Sequence, residues 1–263
     1  MIVSNLERVL AELGEHDRVL DVGGWAAPLN RADWVIDLMP YETRGVLPPH
    51  SFGPPPERFS EQTWVQMDIC SREPWPFEDD YFDFVFCVQT LEDLRDPIGV
   101  CQEISRVGKR GYIEVPSILD ELTWGVPTAS GGPWCGHMHH RWLIELDGDE
   151  LVFMLKPHHL HAEPRVRVPP SWARRLTLED RAIGLFWEGE VKAREALGIS
   201  SGKLTDFDAL ERLILDHFKP TPEERRRLAE EQRALGATPG PVPSAGLPRR
   251  VCRRLGRALS RSR

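Results

Sequence analysis

Short apolar runs alternate with polar loops and amphipathic stretches over the first 117 residues of the chain. Runs of this length, bounded by Gly, Pro and Asp, are typical of buried strands. Apolar residues recur at helical spacing over 4–14, where Ser4 is placed to cap a helix and Gly14 to end it, and again over 97–108. Strands that alternate with helices or loops predict a doubly wound parallel sheet. The predicted strands are 18–22, 33–38, 64–69, 82–88 and 111–117.

The segment 141–155 breaks this pattern, because two apolar runs flank an Asp-Gly-Asp turn. Such a turn between two strands indicates an antiparallel hairpin. The predicted fold class is therefore α/β, a Rossmann-like doubly wound parallel sheet with an antiparallel hairpin at one edge. We place this main domain at 1–160, a helical accessory region at 161–235, and a flexible linker with a basic tail at 236–263.

Composition narrows the class of protein. Hydrophobic residues make up 41% and charged residues 28% of the 263, which is enough apolar material for a sizeable core. No apolar run approaches the roughly 18 residues of a transmembrane helix, and the first residues lack the apolar centre of a secretory signal. The five Cys follow no metal-binding or disulfide-type spacing, so we expect a cytoplasmic location.

The net charge of −8 is unevenly distributed. From Thr221 to the end the chain holds 11 Arg and 4 Glu, so the remainder is strongly acidic. An acidic body argues against nucleic acid as a partner, because phosphate contacts need a basic surface. Residues 248–263 combine Arg with Val251, Leu255 and Leu259 at four-residue spacing, which suits either peripheral contact with an anionic membrane or a solvated tail.

Acidic residues end three of the predicted strands. Asp21 precedes the turn Gly23-Gly24, where it would repel a pyrophosphate but attract an ammonium group, so an aminoacyl nucleoside fits better than NAD. Asp37 follows 16 residues later and can accept hydrogen bonds from ribose hydroxyls, and Asp68 can accept from an exocyclic amine of a purine. Each acid is an ordinary polar strand end if no ligand binds there.

The DVGG turn, the acids after the second and third strands, and the run PWPFEDDYFDFVFCVQTLEDL over 74–94 occur together within residues 15–155. Together they resemble the class I S-adenosylmethionine-dependent methyltransferases, in which a similar run reads P-F-x-D, F-D-x-V and L-E-H. The resemblance implies S-adenosylmethionine as the cofactor, bound by the domain at 1–160. It assigns the methionine part to Asp21 and the Gly23-Gly24 backbone, the ribose to Asp37, the adenine to Asp68 and Ile69, and the sulfonium region to Gln89. Trp25, in the same turn, is a further candidate for cofactor binding.

The chain departs from this family pattern in two places. Trp25 and Ala27 stand where the family has turn glycines, which narrows the space for a cofactor to approach the backbone, and Asp93 replaces a family His. We expect methyl transfer from S-adenosylmethionine to a small-molecule or glycan acceptor. The alternative is a non-catalytic methyltransferase-like binding module, and a nucleotide-dependent oxidoreductase is disfavoured by Asp21.

Six of the nine His lie within 137–161, around the predicted hairpin. Because a hairpin brings its two ends together, these residues are candidates for a general base, for metal ligands or for plain polar positions. The side chains of the adjacent pairs His139-His140 and His158-His159 diverge on a strand, so we expect at most one of each pair to face a common point. We predict His140, with His139 as the second candidate, as the catalytic residue, and we expect no metal.

Overall fold

A computed structural model describes residues 1–126, 132–196 and 207–235 of the chain. The linker and basic tail predicted over 236–263 therefore lie outside the described residues. None of the helices in the described ranges has the length and apolarity needed to cross a membrane.

The described residues form two compact units. The first unit holds Met1–Val115 and Gly184–Ala193, and the second holds Pro116–Ile183 and the described residues from Arg194 onward. The predicted domain boundary at 160 falls inside the second unit, because the chain leaves the first unit directly after its fifth strand.

The described residues contain these helices and strands. The strands are β1 (Val19–Val22), β2 (Trp34–Asp37), β3 (Trp64–Gln66), β4 (Phe84–Val88), β5 (Arg110–Pro116), β6 (Trp142–Asp147), β7 (Glu150–Leu155), β8 (Ala182–Glu188) and β9 (Lys192–Glu195). The helices are α1 (Val3–Glu12), α2 (Pro97–Val107), α3 (Ile118–Glu121), α4 (Pro170–Ala173), α5 (Leu178–Arg181), α6 (Phe207–Phe218) and α7 (Pro222–Ala234).

A six-stranded sheet in the order β3-β2-β1-β4-β5-β8 organises the first unit. β1 pairs in parallel with β2 and β4, and the parallel pairs β2–β3 and β4–β5 extend the sheet on either side. The chain runs outward from β1 to β3 and starts again at β4, so the strand order reverses between β1 and β4. Ligands of open parallel sheets bind at such a switch point, outside the carboxyl ends of the strands. The predicted α/β fold class with a doubly wound parallel sheet is confirmed.

Local sequence explains where these elements begin. All residues of β4 are buried, as expected for a continuous apolar run inside a parallel sheet. Helix α2 begins at Pro97 because the Asp96 carboxylate accepts a hydrogen bond from the backbone N–H of Gly99 at 2.9 Å. Ser4 does not cap α1, because the helix begins at Val3 and Ser4 already lies in its first turn.

The predicted hairpin forms from β6 and β7, which pair antiparallel from Trp142 with Leu155 to Asp147 with Glu150. Gly148 stands in the turn with a φ of 68°, which favours glycine. The hairpin belongs to a second, three-stranded sheet in the order β6-β7-β9, while β8 occupies the edge of the six-stranded sheet beside β5.

The prediction of a helical region over 161–235 is wrong for the strands β8 and β9. Residues 182–188 are a short apolar run, and periodicity alone does not separate a strand from a buried helix in such a run. In β8, Leu185 and Trp187 are buried and Glu188 is exposed. The later part of the region is helical, in α6 and α7.

Each unit has a hydrophobic core of its own. The core of the first unit includes Val9, Val19, Leu29, Val35, Phe84, Phe86 and Tyr112. The core of the second unit includes Leu143, Val152, Leu160, Trp172, Leu210, Ile214 and Phe218.

Gly111 on β5 marks a close approach of two backbones. A Cβ at this position would lie 2.1 Å from the carbonyl oxygen of Val85 and 2.8 Å from Nε1 of Trp187. Since Val85 belongs to the paired strand β4, its carbonyl cannot move away without disturbing the ladder. We expect Gly111→Ala to lower the free energy of unfolding by about 1–3 kcal/mol, the usual cost of overpacking.

Urea denaturation measures this loss, and Gly148→Asn is the control. Nothing lies within 4 Å of a Cβ at Gly148, and Asn tolerates a positive φ better than other side chains do. The control should keep the free energy of unfolding within about 0.5 kcal/mol of the unchanged protein. Equal stability of the two variants would contradict the close approach at Gly111.

Candidate functional site

The carboxyl ends of β1, β2, β3 and β4 meet at one edge of the parallel sheet, and the residues that the family resemblance assigns to the cofactor lie along it. Asp21 lies in β1 and Asp37 ends β2. Asp68 follows β3 by two residues, and Gln89 directly follows β4. The sequence prediction thus selects residues that parallel pairing brings to the same edge.

Asp21 is a buried carboxylate that organises the turn after β1. Its Oδ2 accepts a hydrogen bond from the backbone N–H of Leu29 at 2.8 Å, and the side chain is 1% exposed. The pKa of Asp21 is raised to about 7, mainly by burial; the N–H of Leu29 acts against this rise, and the negative charge of Asp37 adds to it. The carboxyl group also touches Gly24, where a Cβ would lie 2.4 Å from Oδ2.

Asp37 ties the same turn to the end of β2. Its Oδ2 accepts from the backbone N–H of Trp25 at 3.0 Å, and its Oδ1 accepts from the backbone N–H of Met39 at 2.8 Å. Burial raises the pKa of Asp37 to about 6, although these N–H donors act in the opposite direction. A carboxylate has about four lone-pair positions, so two N–H donors leave capacity for ribose hydroxyls.

Gly23 lies where the backbones after β1 and β4 approach each other. Its φ is +77°, and a Cβ there would lie 2.3 Å from Oγ1 of Thr90. Thr90 is itself buried and hydrogen-bonded to the carbonyls of Val22 and Val88. Glycine at this position is therefore required both by the backbone conformation and by the space at the switch point.

The indole of Trp25 is bound to the loop after β2. Its Nε1 donates to the carbonyl oxygen of Thr43 at 3.0 Å and to Oγ1 of the same residue at 2.9 Å. The ring also packs against the core of the first unit. The side chain that replaces a family glycine thus holds the turn to residues 41–43, which form a short 3-10 helix.

Asp68 pairs with a residue that the sequence analysis does not select. Its Oδ2 accepts from Nη1 of Arg95 at 2.6 Å, and Nη2 of Arg95 donates to the carbonyl of Cys70 at 2.7 Å. An adenine amine would therefore compete with a guanidinium for this carboxylate. The neighbouring Ile69 is buried, and its carbonyl accepts from Nε1 of Trp75 at 3.1 Å.

Gln89 has a left-handed backbone, with a φ of 53°, and an exposed side chain. Its N–H donates to the carbonyl of Glu114 at 2.8 Å, which keeps it joined to the neighbouring strand β5. A non-glycine residue in this conformation is uncommon and is concentrated at functional sites. Gln89 lies at the switch point, and its role as a site residue stays a prediction.

The second unit holds a buried Glu121 between a His and a Lys. Its Oε1 lies 2.5 Å from Nδ1 of His140 and its Oε2 lies 2.5 Å from Nζ of Lys156. All three side chains are buried. Burial alone would raise the pKa of Glu121, but His140 and Lys156 outweigh it and hold the pKa below its usual range. The sequence analysis does not select Glu121 or Lys156, because each is distant in sequence from His140.

His137, His139 and His140 come together in this unit. The rings of His137 and His140 stack at 4.4 Å, and the ring of His139 lies 4.6 Å from that of His140. The prediction that adjacent His diverge is wrong for His139 and His140, because they lie in a bend before β6 and not on a strand. Their ligand nitrogens and that of His137 all lie within 4.8 Å of one another.

The other His of this segment have different surroundings. Nδ1 of His161 accepts from the backbone N–H of Cys135 at 3.1 Å. The ring of His159 packs edge-on against Phe207 at 5.2 Å. Among the described residues, the three His before the hairpin therefore lie close enough together to share a metal ion, and those after the hairpin do not belong to this group.

The buried acids of the first unit predict a decline of stability between about pH 4 and pH 7. Folding raises the pKa of Asp21 from 3.8 to about 7, so in this window the folded protein binds a proton that the unfolded chain has released. The stabilisation is complete below the unfolded pKa and is lost as the pH rises through the folded pKa. We expect the free energy of unfolding to fall by up to about 1.4 kcal/mol per pH unit for this proton.

Urea denaturation between pH 4 and pH 8 tests this dependence with Asp21→Asn. The amide oxygen still accepts from the N–H of Leu29, but the side chain no longer titrates. The variant should show a flatter pH dependence than the unchanged protein, with the slope that remains arising from Asp37, whose pKa is about 6. Parallel curves for the two proteins would contradict the assignment to Asp21.

Comparison with known proteins gives one family match and several distant structural likenesses. Residues 53–113 match the family model described as a methyltransferase domain. None of the curated proteins that were compared matches the chain significantly.

The structural likenesses are partial. A proposed methyltransferase from Bacillus halodurans is 20% identical, with 43% of this chain and 52% of that chain covered and a TM-score of 0.32. An S-adenosylmethionine-dependent methyltransferase from Thermotoga maritima is 18% identical, with 46% and 53% covered and a TM-score of 0.30. One from Mesorhizobium loti is 13% identical, with 57% and 63% covered and a TM-score of 0.30. The chain thus spans between half and two thirds of the length of these proteins.

The family match covers the loop before β3, the strands β3 and β4, helix α2 and the start of β5. It includes the acid Asp68, the run over 74–94 and Gln89. Over these residues the chain is similar to a methyltransferase domain, as the resemblance to the class I S-adenosylmethionine-dependent methyltransferases predicts.

Proposed function

We propose that the first unit binds S-adenosylmethionine and that the protein transfers its methyl group to a small-molecule or glycan acceptor. The observation that carries the proposal is the arrangement at the switch point. Asp37 ends β2 and accepts from the N–H of Trp25, so the turn that would receive the methionine part is fixed to the acid that would receive the ribose.

The side chains present fit this cofactor in chemical terms. Gly23 has the positive φ that the turn after β1 requires, and Asp37 has lone pairs left for the ribose. Asp21, when ionised, offers a charge to the ammonium group of the methionine part. Ile69 would contribute an apolar contact to the adenine, and Asp68 would accept its amine after leaving Arg95. The bound cofactor supplies a methyl group on a sulfonium, and the protein contributes alignment and proximity to the acceptor.

A hydroxyl acceptor also needs a group that removes its proton. In the second unit, His140 is the His whose Nδ1 is held by a buried carboxylate, an arrangement that fixes the ring and stabilises its protonated form. His140 as the catalytic base, with His139 as the second candidate, stays a prediction. A small-molecule or glycan acceptor is part of the proposal, as is a cytoplasmic location.

The second candidate function is a non-catalytic binding module. Two observations favour it. The indole of Trp25 is held in the turn by Thr43, and Asp68 already has a cation, Arg95, at 2.6 Å. If both contacts persist when ligand is added, the turn and the adenine side of the site are closed by the protein's own side chains.

Calorimetry with S-adenosylmethionine and S-adenosylhomocysteine separates the two functions. We expect binding to the unchanged protein and a loss of about 1–3 kcal/mol in Asp37→Asn, because ribose hydroxyls then lose their charged acceptor. NAD should give no measurable heat. Absence of binding by both sulfur-containing ligands would overturn the methyltransferase proposal and leave the binding module.

Asp33→Asn is the matched control for Asp37→Asn. Asp33 directly precedes β2, at the other end of the same strand, and it also accepts a backbone N–H, from Val19 at 3.0 Å. Its replacement should leave cofactor affinity within about 0.5 kcal/mol of that of the unchanged protein. Equal losses in the two variants would mean that Asp37 acts only through the fold of the sheet.

We also propose that the basic tail over 248–263 contacts anionic membranes. Each Arg near such a surface contributes on the order of 1 kcal/mol, and the contribution falls with salt. Deleting these residues should abolish sedimentation with phosphatidylserine-containing vesicles, while phosphatidylcholine vesicles should bind neither form. Equal sedimentation of the full chain and the deletion variant with anionic vesicles would contradict this role.

A further inference from the structure

We infer that His137, His139 and His140 form a binding site for a divalent transition-metal ion, with Zn²⁺ as the best-suited ion. The inference concerns the second unit by itself and does not rest on the proposed function. It also differs from the expectation, made from the sequence, that the chain binds no metal.

The donor set fits zinc better than magnesium or calcium. Imidazole nitrogen is a preferred ligand of zinc, copper, iron and nickel, whereas magnesium and calcium prefer oxygen. Three His together with an open fourth position are a recurrent coordination set for zinc in proteins. The three His offer one ligand nitrogen each.

The spacing of these nitrogens is close to that of a bound ion. All three lie within 4.8 Å of one another. A tetrahedral zinc ion with Zn–N distances of about 2.0–2.1 Å holds its ligand nitrogens roughly 3.3 Å apart. Binding therefore requires the nitrogens to approach one another by at most about 1.5 Å. His139 is exposed and His137 only partly buried, so rotation of these two side chains can provide that movement.

The least exposed of the three rings has the supporting contact that metal-bound His usually has. Nδ1 of His140 lies 2.5 Å from Oε1 of Glu121, a carboxylate with no exposed surface. A carboxylate on one ring nitrogen fixes the ring and makes the other nitrogen a stronger ligand. His140 would accordingly bind the ion through Nε2.

The segment that carries the His is also anchored to this carboxylate. Lys156 bonds to Oε2 of Glu121 and donates to the backbone carbonyls of Cys135 and His137, each at 3.1 Å. Gly136, with a φ of 58°, allows the close approach, since a Cβ there would lie 2.6 Å from Oε2 of Glu121. The backbone on the amino-terminal side of the three His is therefore fixed before any ion binds.

The charge balance of the group leaves room for a cation. The carboxylate of Glu121 offsets the ammonium of Lys156, so this ion pair adds no net positive charge beside the three imidazoles. Because His139 is exposed, the ion has a route from solvent. Three protein ligands would leave the fourth position of the ion for water or another small ligand.

A metal at this site and a catalytic base at His140 are alternative roles for the same nitrogen. If the ion takes Nε2 of His140, that atom cannot accept a proton from a substrate. If the cluster binds a metal ion, His140 is therefore a metal ligand and not the catalytic base.

The test is zinc binding by the full chain, first stripped of metal with a chelator and then titrated against a chromophoric chelator. We expect one zinc ion per chain. Replacement of an outer-shell carboxylate lowers metal affinity by about 10–100-fold. Glu121→Gln should show a loss of this size, and His139→Ala, which removes a ligand, should show a larger one. Cobalt(II) bound at the same site should give the intense visible absorption of a four-coordinate ion.

His159→Ala is the matched control, since His159 is also exposed and belongs to the second unit but is not part of the three-His group. It should bind zinc as the unchanged protein does. His139→Ala is the preferred test variant, because removal of an exposed side chain should leave the thermal unfolding midpoint of the metal-free protein unchanged. Equal zinc affinity in His139→Ala and His159→Ala, or no stoichiometric binding by the unchanged protein, would overturn the inference. Failure of the cofactor calorimetry would leave this result unaffected.

Discussion

A carboxylate removed from water must be matched by N–H donors or by cations, and this constraint shapes both units of the protein. In the first unit, Asp21 and Asp37 accept backbone N–H groups from the turn between β1 and β2. In the second, Glu121 is matched by His140 and Lys156. The turn after β1 follows a path that places its N–H groups against Asp21 and Asp37. The bend before β6 likewise places His140 against Glu121.

The two kinds of partner shift the pKa of the buried acids in opposite directions. Neutral N–H donors compensate Asp21 and Asp37 only in part, and burial therefore raises the pKa of both. Charged or chargeable partners overcompensate Glu121, whose pKa falls below its usual range. The first unit thus holds acids that change charge near neutral pH, whereas Glu121 in the second keeps its charge to a lower pH than an ordinary Glu. The former suits a ligand that brings its own ammonium and hydroxyl groups, and the latter suits the orientation of an imidazole.

The relation between fold and function follows from the switch point. A doubly wound sheet creates a crevice between β1 and β4 whatever the side chains are, and many proteins with this architecture have different activities. In this chain, the protein's own side chains crowd this crevice. Gly23 lies against Thr90, Trp25 is bound to Thr43, and Asp68 is paired with Arg95. The affinity for a cofactor depends on how readily these contacts give way.

Local pattern in the sequence is enough to predict the parallel strands, the hairpin turn at Gly148 and the acids at the strand ends. These features depend on neighbouring residues, and parallel pairing then brings strand ends to one edge without further information. Pattern does not determine β8, because a short apolar run suits a strand or a helix until its partner is known. It does not determine Arg95, Glu121 or Lys156 either, since the ion pairs of these residues join positions 19 to 35 residues apart. The three-His group required the tertiary structure for the same reason: only the bend before β6, which is anchored to a buried carboxylate, directs His139 and His140 toward one point instead of to opposite faces of a strand.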